Sequence, residues 1–304
     1  MRFILTKDTL SSSAELEITN SEFEEFVRTK QIVMDTLLLE EKFDIVVQNY
    51  VELEQTLMNS VLTYMLLGNH DFTSFNNRRG LIDRRIYNLL SSCRSYIDYA
   101  VQCAGAVPGC KNEVKSEFSR FYDQHFAYRL MEALRDFVTH GGLPTDLLNY
   151  RTRSVDNTAE NRRLKYDLEL KLTTRRLKQY GDFKRTVLDE INDRGGSVSL
   201  PPLIREYISD LGSVNEWLRE KCEKPVDDAA NKIQNAFTSF DLAFPADEKT
   251  TYLNAIELNG GKRVREVSIF LDLVEYIKHF HRKNRNLVNL HKRFVTSDYH
   301  SEDT

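Results

Sequence analysis

Apolar residues recur at helical spacing through most of the chain. Between about residues 40 and 67 they return every three or four positions, as at Phe43, Val46, Tyr50 and Leu53, which predicts a long amphipathic helix. A first helix is predicted to begin at Ser21, with Ser21 as its N-cap. The same spacing predicts further helices over residues 76–107, 111–139, 182–191, 202–221, 225–240 and 268–293, with a break at Pro108 and Gly109. The sequence therefore predicts a mainly α-helical protein.

Strict alternation of apolar and polar residues predicts a few short strands beside these helices. The segments 2–6, 15–19 and 164–172 alternate in this way. Segments 252–258 and 263–267 flank Gly260 and Gly261, which suits a hairpin, although the two glycines could equally separate a loop from a helix. The pattern predicts three parts: short β elements in 1–20, a helical bundle in 21–149, and a mostly helical region in 150–304 that packs on the bundle.

Composition narrows the class of protein. The chain has 304 residues, is 41% hydrophobic and contains only 12 Gly and 6 Pro, which is typical of a globular, helix-rich fold. No apolar run approaches the roughly 20 residues that cross a bilayer, and the start of the chain does not resemble a signal peptide. We therefore predict a cytoplasmic protein without membrane contact. The spacing of Cys93, Cys103, Cys110 and Cys222 fits no zinc or redox motif, so we expect reduced thiols.

Charge is unevenly distributed along the chain. Residues 1–77 contain thirteen Asp or Glu and five Lys or Arg, whereas residues 150–185 contain eleven Lys or Arg and five acids. A second basic cluster covers residues 278–293. Such clusters can contact the phosphates of nucleic acid, but they can also bind an acidic partner protein or simply form a solvated face.

One segment combines a fixed cation with a group that can transfer protons. Arg135 and His140 lie five positions apart in the segment 134–144, where the apolar periodicity stops at Phe137 and Gly141 and Gly142 follow. This pattern indicates the C-terminus of a helix. Histidine exchanges protons near neutral pH, and an arginine can stabilise the charge that develops on a phosphate. Both are parts of a metal-free phosphodiester cleavage site.

The segment resembles the signature of the HEPN superfamily, in which an arginine precedes a histidine by four to six intervening residues. Arg135, Asp136 and His140 carry the resemblance, with Leu134 and Gly141 beside them. The resemblance covers about a third of the chain and implies a bundle of long antiparallel helices. It also implies a metal-independent endoribonuclease that needs no cofactor, acts as a homodimer and leaves 2',3'-cyclic phosphate ends. Many members serve in bacterial toxin and phage-defence systems, while others have lost catalysis and only bind.

The hypothesis assigns a role to each residue of the site. His140 would move the proton of the ribose 2'-hydroxyl, Arg135 would stabilise the transition state, and Asp136 would orient one of these two or the motif of the other subunit. Tyr128 and Arg129 on the same helix, with Arg151 and Arg153 in the basic flank, are the predicted substrate contacts.

Four alternatives remain open. Glu132 and Arg135 could form an ordinary ion pair on the helix surface while His140 caps carbonyls. The chain could be a non-catalytic adaptor for RNA or for a protein partner or activator, which Asp136 and the acidic first quarter favour. The basic C-terminal helix with Arg282 and Arg285 could be the working surface. The arginine–histidine spacing also occurs elsewhere in the chain, at Arg120–His125, Arg285–His291 and Arg293–His300.

Overall fold

The computed structural model describes residues 1–9, 12–68, 71–103, 110–154, 163–179, 183–245, 251–293 and 295. Most of them are helical, so the prediction of a mainly α fold is confirmed. The predicted break at Pro108 and Gly109 lies outside the described residues, as does His300. In chain order, the elements are β1 (Arg2–Thr9), β2 (Ser12–Ile18), α1 (Asn20–Leu67), α2 (Phe72–Cys103), α3 (Cys110–Gln124), α4 (Phe126–His140), β3 (Leu147–Ser154), β4 (Leu164–Thr173), α5 (Thr174–Lys178), α6 (Arg185–Asp193), β5 (Ser197–Ser199), α7 (Leu200–Ala243), β6 (Tyr252–Asn259), β7 (Lys262–Phe270) and α8 (Leu273–Lys283).

Helix α1 is a single helix of 48 residues, where the sequence predicts two. Its N-terminus is capped by Thr19, not by Ser21. The Thr19 hydroxyl accepts a hydrogen bond from the backbone N–H of Glu22 at 3.2 Å, and the Glu22 carboxylate accepts one from the backbone N–H of Thr19 at 2.7 Å. This reciprocal pair is a capping box, which satisfies two backbone donors that the helix start would otherwise leave unpaired.

Helix α7 also continues where the sequence predicts an interruption. Pro225 lies inside its 44 residues, although proline lacks the N–H that a helix interior uses. Cys222, Val226 and Ala229 on either side of Pro225 belong to one buried apolar cluster. Burial of this continuous stripe outweighs the cost of the lost hydrogen bond, so the helix does not end there.

The predicted helix over residues 111–139 is in fact two helices, because the chain becomes extended at His125 between α3 and α4 (φ −111°, ψ 122°). Two side-chain contacts stabilise this break. The His125 ring bonds to Asp210, and the Arg129 guanidinium donates to the carbonyls of Tyr122 and Asp123 at the end of α3. These contacts satisfy groups that an uninterrupted helix would have paired internally.

The chain forms two compact units, each built from separate segments of sequence. The first comprises residues 1–44, 98–115 and 216–285, and the second comprises residues 45–97, 116–215 and 286–304. In the first unit the antiparallel strand order is β2-β1-β6-β7, which confirms both the opening strands and the hairpin at Gly260 and Gly261. Leu5, Leu253 and Ala255 of this sheet lie in one apolar cluster with residues of α1, α7 and α8. Strand β7 runs to Phe270, so α8 is shorter than the predicted helix over 268–293.

The second unit contains a three-stranded antiparallel sheet in the order β3-β4-β5. The alternation over residues 164–172 correctly predicts β4, whereas β3 and the three-residue β5 were not predicted. On the inner side of the β3–β4 hairpin, the Tyr150 ring stacks on that of Tyr64 of α1 at 4.8 Å between centroids. Among the described helices, none has an apolar stretch that could cross a membrane.

Candidate functional site

The motif lies at the end of α4, where the sequence places it. His140 is the last helical residue, and Gly141 follows with a positive φ of 144° that few side chains tolerate. The backbone N–H groups of Gly141 and Gly142 both donate to the carbonyl of Phe137. A Cβ atom on Gly142 would lie 1.9 Å from the Phe137 ring. The two glycines therefore serve different purposes: Gly141 ends the helix, and Gly142 allows the chain to pass directly over Phe137.

Arg135 is held by carboxylates on both sides. Its Nη2 atom lies 2.8 Å from Oδ1 of Asp136 and 3.7 Å from Oε2 of Glu132, and its side chain is 24% exposed. Its Nε atom is buried and has no hydrogen-bond partner in the part of the chain that the structure describes. Asp136 is mostly exposed. The guanidinium is thus fixed in position, at the cost of one orphaned donor.

Glu132 connects the motif arginine to neighbouring helices. The buried hydroxyl of Tyr207 in α7 donates to its Oε1 atom at 2.8 Å, and Nη1 of Arg94 in α2 lies 3.8 Å from its Oε2 atom. Burial, and next the Glu132 charge, raise the pKa of Tyr207 well above its usual value, so the phenol stays protonated and can donate. The ion pair between Glu132 and Arg135 that the sequence allows is therefore present and belongs to a wider network.

His140 is exposed and has no partner among the described residues. The exposed strip of α4 contains Thr139, Asp136 and the partly exposed Glu132, with the partly exposed Arg135 on one side and His140 on the other. Residues five apart in an α-helix are separated by about 7.5 Å along the axis and by about 140° around it. Arg135 and His140 thus border opposite sides of the strip. A phosphate that contacts both groups must therefore span the width of this strip.

An open depression of about 320 Å³ lies beside the motif. One side is formed by Val138, Gly142 and Leu143, and the other by Arg84 and Tyr87 of α2. Both α2 side chains are exposed, and Arg84 has no ion-pair partner among the described residues. The motif gave no indication of these two residues, which come from a helix some fifty positions earlier. The run of arginines at 78, 79, 84 and 85 was the available signal.

The loop after α4, which lines one side of this depression, is fixed by buried polar contacts. The backbone N–H and the hydroxyl of Thr145 both donate to Asp83, and the Arg79 guanidinium donates to the Thr145 carbonyl at 2.6 Å. Burial raises the pKa of Asp83, although the hydrogen bonds from Thr145 act in the opposite direction. The residues after the motif therefore keep a defined path.

The predicted substrate contacts do not gather around His140. Tyr128 is 3% exposed and packs edge-on against Tyr207 at 5.0 Å, so its ring cannot reach a substrate in this structure. Tyr128 precedes Arg135 by seven residues, a spacing that puts both on the same side of α4, but α7 covers its ring. Arg129 makes two hydrogen bonds to Glu190, at 2.9 and 2.7 Å, besides capping α3. We therefore omit Tyr128 and Arg129 from the site.

Arg151 and Arg153 lie on the charged face of the β3–β4 hairpin. Each is about half exposed, and each pairs with a carboxylate of β4: Arg151 with Glu169 and Arg153 with Asp167. The basic flank is therefore partly neutralised within its own sheet. These two side chains remain accessible to a phosphate that competes for them.

Among the other arginine–histidine pairs, both members of Arg120–His125 contact carboxylates. Nδ1 of His125 lies 2.8 Å from both carboxylate oxygens of Asp210, which is 4% exposed. Arg120 pairs with Glu117 in the preceding turn. Arg285 is exposed after α8, and His291 lies in a short 3-10 helix. Arg282, part of the basic C-terminal surface, pairs with Glu275.

Comparison of the chain with protein-family models, with curated proteins and with solved structures finds no match.

Proposed function

We propose that this chain is a metal-independent endoribonuclease of HEPN type that cuts RNA as a homodimer, with a role in a bacterial toxin or phage-defence system. The observation that carries the proposal is the end of α4. There an exposed histidine, with no structural partner among the residues that the structure describes, follows an arginine held in place by two carboxylates, beside an open depression. Exposed histidine and fixed guanidinium are the groups that metal-free phosphodiester cleavage requires.

In this proposal His140 accepts the proton of the ribose 2'-hydroxyl as that oxygen attacks the neighbouring phosphorus. The bond to the 5'-oxygen of the next nucleotide breaks, that oxygen takes up the proton that His140 accepted and leaves as a 5'-hydroxyl, and a 2',3'-cyclic phosphate remains. Arg135 stabilises the negative charge on the phosphorus oxygens, and Asp136 orients its guanidinium. Because Arg135 and His140 border opposite sides of one strip, a second copy facing the first would supply the complementary group.

The unpaired Arg84 and the exposed Tyr87 extend the proposed site along α2. An arginine without a carboxylate partner is available to an RNA phosphate, and an exposed tyrosine ring can stack on an unpaired base. Arg151 and Arg153 would add phosphate contacts farther along the RNA. We expect Arg84→Ala to weaken RNA binding more than Arg151→Ala or Arg153→Ala, because Arg151 and Arg153 are already ion-paired.

The test is cleavage of labelled single-stranded RNA and tRNA in EDTA by the wild type and by His140→Ala and Arg135→Ala. The expected result is fragments with 2',3'-cyclic phosphate ends from the wild type and none from the two variants. His279→Ala is the matched control, because His279 is also exposed on a helix. Full cleavage by His140→Ala would refute the assignment.

One observation favours a second function, that of a non-catalytic adaptor. Glu132 and Asp136 already neutralise Arg135, and both carboxylates would repel a polyanionic substrate. An adaptor would bind RNA or a partner through Arg84 and Tyr87 without cutting. If the wild type retains labelled RNA but never cleaves it, and Arg84→Ala abolishes retention while His140→Ala does not, the adaptor replaces the nuclease.

A further inference from the structure

The first unit contains a cavity of about 340 Å³ that the proposed nuclease does not use. It lies among α1, α7 and α8, and its walls are apolar: Leu39, Leu218, Cys222, Val226 and Ile277. This volume is at the lower end of the range typical of small-molecule sites. A few polar groups around an apolar cavity are the usual construction of a ligand site, so the nature of those groups decides what fits.

A buried ion pair lies at the base of the cavity. Glu40 is 1% exposed, and Arg219 donates to both of its carboxylate oxygens, at 2.8 and 2.6 Å. Nε2 of His281 lies 3.2 Å from the same carboxylate, without the alignment of a hydrogen bond. Burial alone would raise the pKa of Glu40, but contacts with Arg219 and His281 outweigh it and lower the pKa. The Arg219 charge is thus already balanced and offers little to an anion.

Three acidic residues form the rim. Glu220, Glu223 and Asp227 are exposed on one face of α7, and no basic side chain among the described residues pairs with any of them. With Glu40 they make four carboxylates against two cations, Arg219 and Lys278, which leaves the lining at −2 with His281 neutral. Like charges at this helical spacing repel each other and destabilise the helix. A bound cation would remove that repulsion.

The geometry favours an organic cation over a metal ion. Among the described residues, no three His, Cys, Asp or Glu converge as metal ligands would. The rim carboxylates instead follow a line, and Glu220 and Asp227 are about 10 Å apart along the helix axis. That is similar to the distance between the terminal nitrogens of an extended spermidine. The apolar walls would contact the methylene groups between those nitrogens.

We propose that this cavity binds a linear alkylammonium ligand, with its ammonium groups at Glu220, Glu223 and Asp227 and its aliphatic stem against the apolar walls. Two sources share this chemistry, a free polyamine and the lysine side chains of a peptide. The proposal is independent of the nuclease, because it concerns other residues and is tested without RNA.

The test is calorimetric titration of the full chain at low ionic strength with spermidine and, separately, with a trilysine peptide. We expect saturable binding with one site per chain, and the probe that binds more tightly identifies the source. Glu223→Gln combined with Asp227→Asn should weaken binding about tenfold, the effect of losing two exposed ion pairs.

Glu216→Gln combined with Asp228→Asn is the matched control. It removes two exposed carboxylates of the same helix that do not line the cavity, so binding should stay within twofold of the wild type. Thermal melts of all three proteins show whether each one folds. Three results would overturn the proposal: no saturable binding of either probe, equal weakening in the control, or displacement of spermidine by magnesium at equal concentration.

Discussion

Replacing His125 by alanine isolates a buried carboxylate. In the native chain Nδ1 of His125 contacts both oxygens of Asp210, and Asp210 is 4% exposed. Burial raises the pKa of Asp210 to about 6, while the hydrogen bond and charge of His125 act in the opposite direction. Without His125 the burial penalty is less compensated, and the pKa of Asp210 rises further.

The expected loss can be worked from this contact. Removing one partner of a fully buried ion pair costs about 3–5 kcal/mol. The His125 side chain is 35% exposed, so water screens part of the interaction. We therefore expect His125→Ala to lower the free energy of unfolding by about 2 kcal/mol at pH 7.5. His140→Ala is the control. His140 is exposed and has no partner among the described residues, so its replacement should change the free energy of unfolding by less than about 0.5 kcal/mol.

The pH dependence gives a sharper test. In the variant, the pKa of Asp210 is higher in the folded than in the unfolded state, so the folded state binds the proton more tightly. The ionised carboxylate therefore destabilises the fold to its full extent at pH values above the pKa of Asp210 in the folded state. This destabilisation decreases as the pH falls toward the pKa of Asp210 in the unfolded state. The folded pKa in the variant lies above the value of about 6 that Asp210 has beside His125, against 3.8 for an ordinary aspartate, so the destabilisation is larger at pH 7.5 than at pH 5.

Urea denaturation at both pH values measures this effect directly. His125→Ala combined with Asp210→Asn removes the titrating group and should be more stable than His125→Ala alone at pH 7.5, with a smaller difference at pH 5. If the asparagine gives no gain at pH 7.5, Asp210 does not carry the desolvation penalty, and the reasoning fails.

Three further substitutions test the packing of the two units. Arg219→Ala leaves Glu40 charged and buried, so the free energy of unfolding, measured by urea denaturation, should fall by about 3 kcal/mol. Adding Glu40→Gln should restore part of this free energy. If nothing is recovered, the loss does not come from an uncompensated charge on Glu40. Gly142→Ala should lower the melting temperature, because the new Cβ would lie 1.9 Å from the Phe137 ring. Gly80→Ala is the matched substitution on α2, across the same depression. Its new Cβ would meet no atom within 4 Å, so the substitution should stabilise α2 by about 0.5–1 kcal/mol. A lower stability of Gly80→Ala would contradict the packing described for α2.

Local chemistry predicted the features that depend on neighbouring residues. The opening strands, the hairpin around Gly260 and Gly261, and the end of α4 before Gly141 all follow from period-two alternation or from glycine at a turn. Each of these signals is complete within about ten residues. No distant contact was needed to predict them, and the structure confirms all three.

Helix interruptions depend on distant residues and were predicted wrongly. Pro225 is a strong local signal for a helix end, but the buried stripe on both sides of it is stronger. His125 carries no local signal for a break, which is stabilised by Asp210, 85 positions away. Helical periodicity reports which face is apolar. It does not report which groups will satisfy the backbone where a helix could either continue or stop.

In the candidate site, too, local sequence identified some residues, whereas others are brought there only by packing between distant segments. Arg135 and His140 could be identified from their spacing and from the glycines that follow. Arg84 and Tyr87 could not, since only the packing of α2 beside α4 brings them to the depression. Tyr128 was predicted as a substrate contact from its place on the same helix, because the sequence of one helix cannot show that Tyr207 of another helix covers it.

Arg135 and His140 do not test the proposed function equally well. Arg135 contacts Glu132, which in turn contacts Arg94 and Tyr207, so its loss affects packing as well as any chemistry. The same contacts would preorganise a catalytic guanidinium or hold a purely structural one. His140 is exposed and has no hydrogen-bond or ion-pair partner among the described residues, so its replacement should leave stability unchanged. Loss of RNA cleavage in His140→Ala at unaltered stability therefore has a chemical cause, which Arg135→Ala alone could not establish.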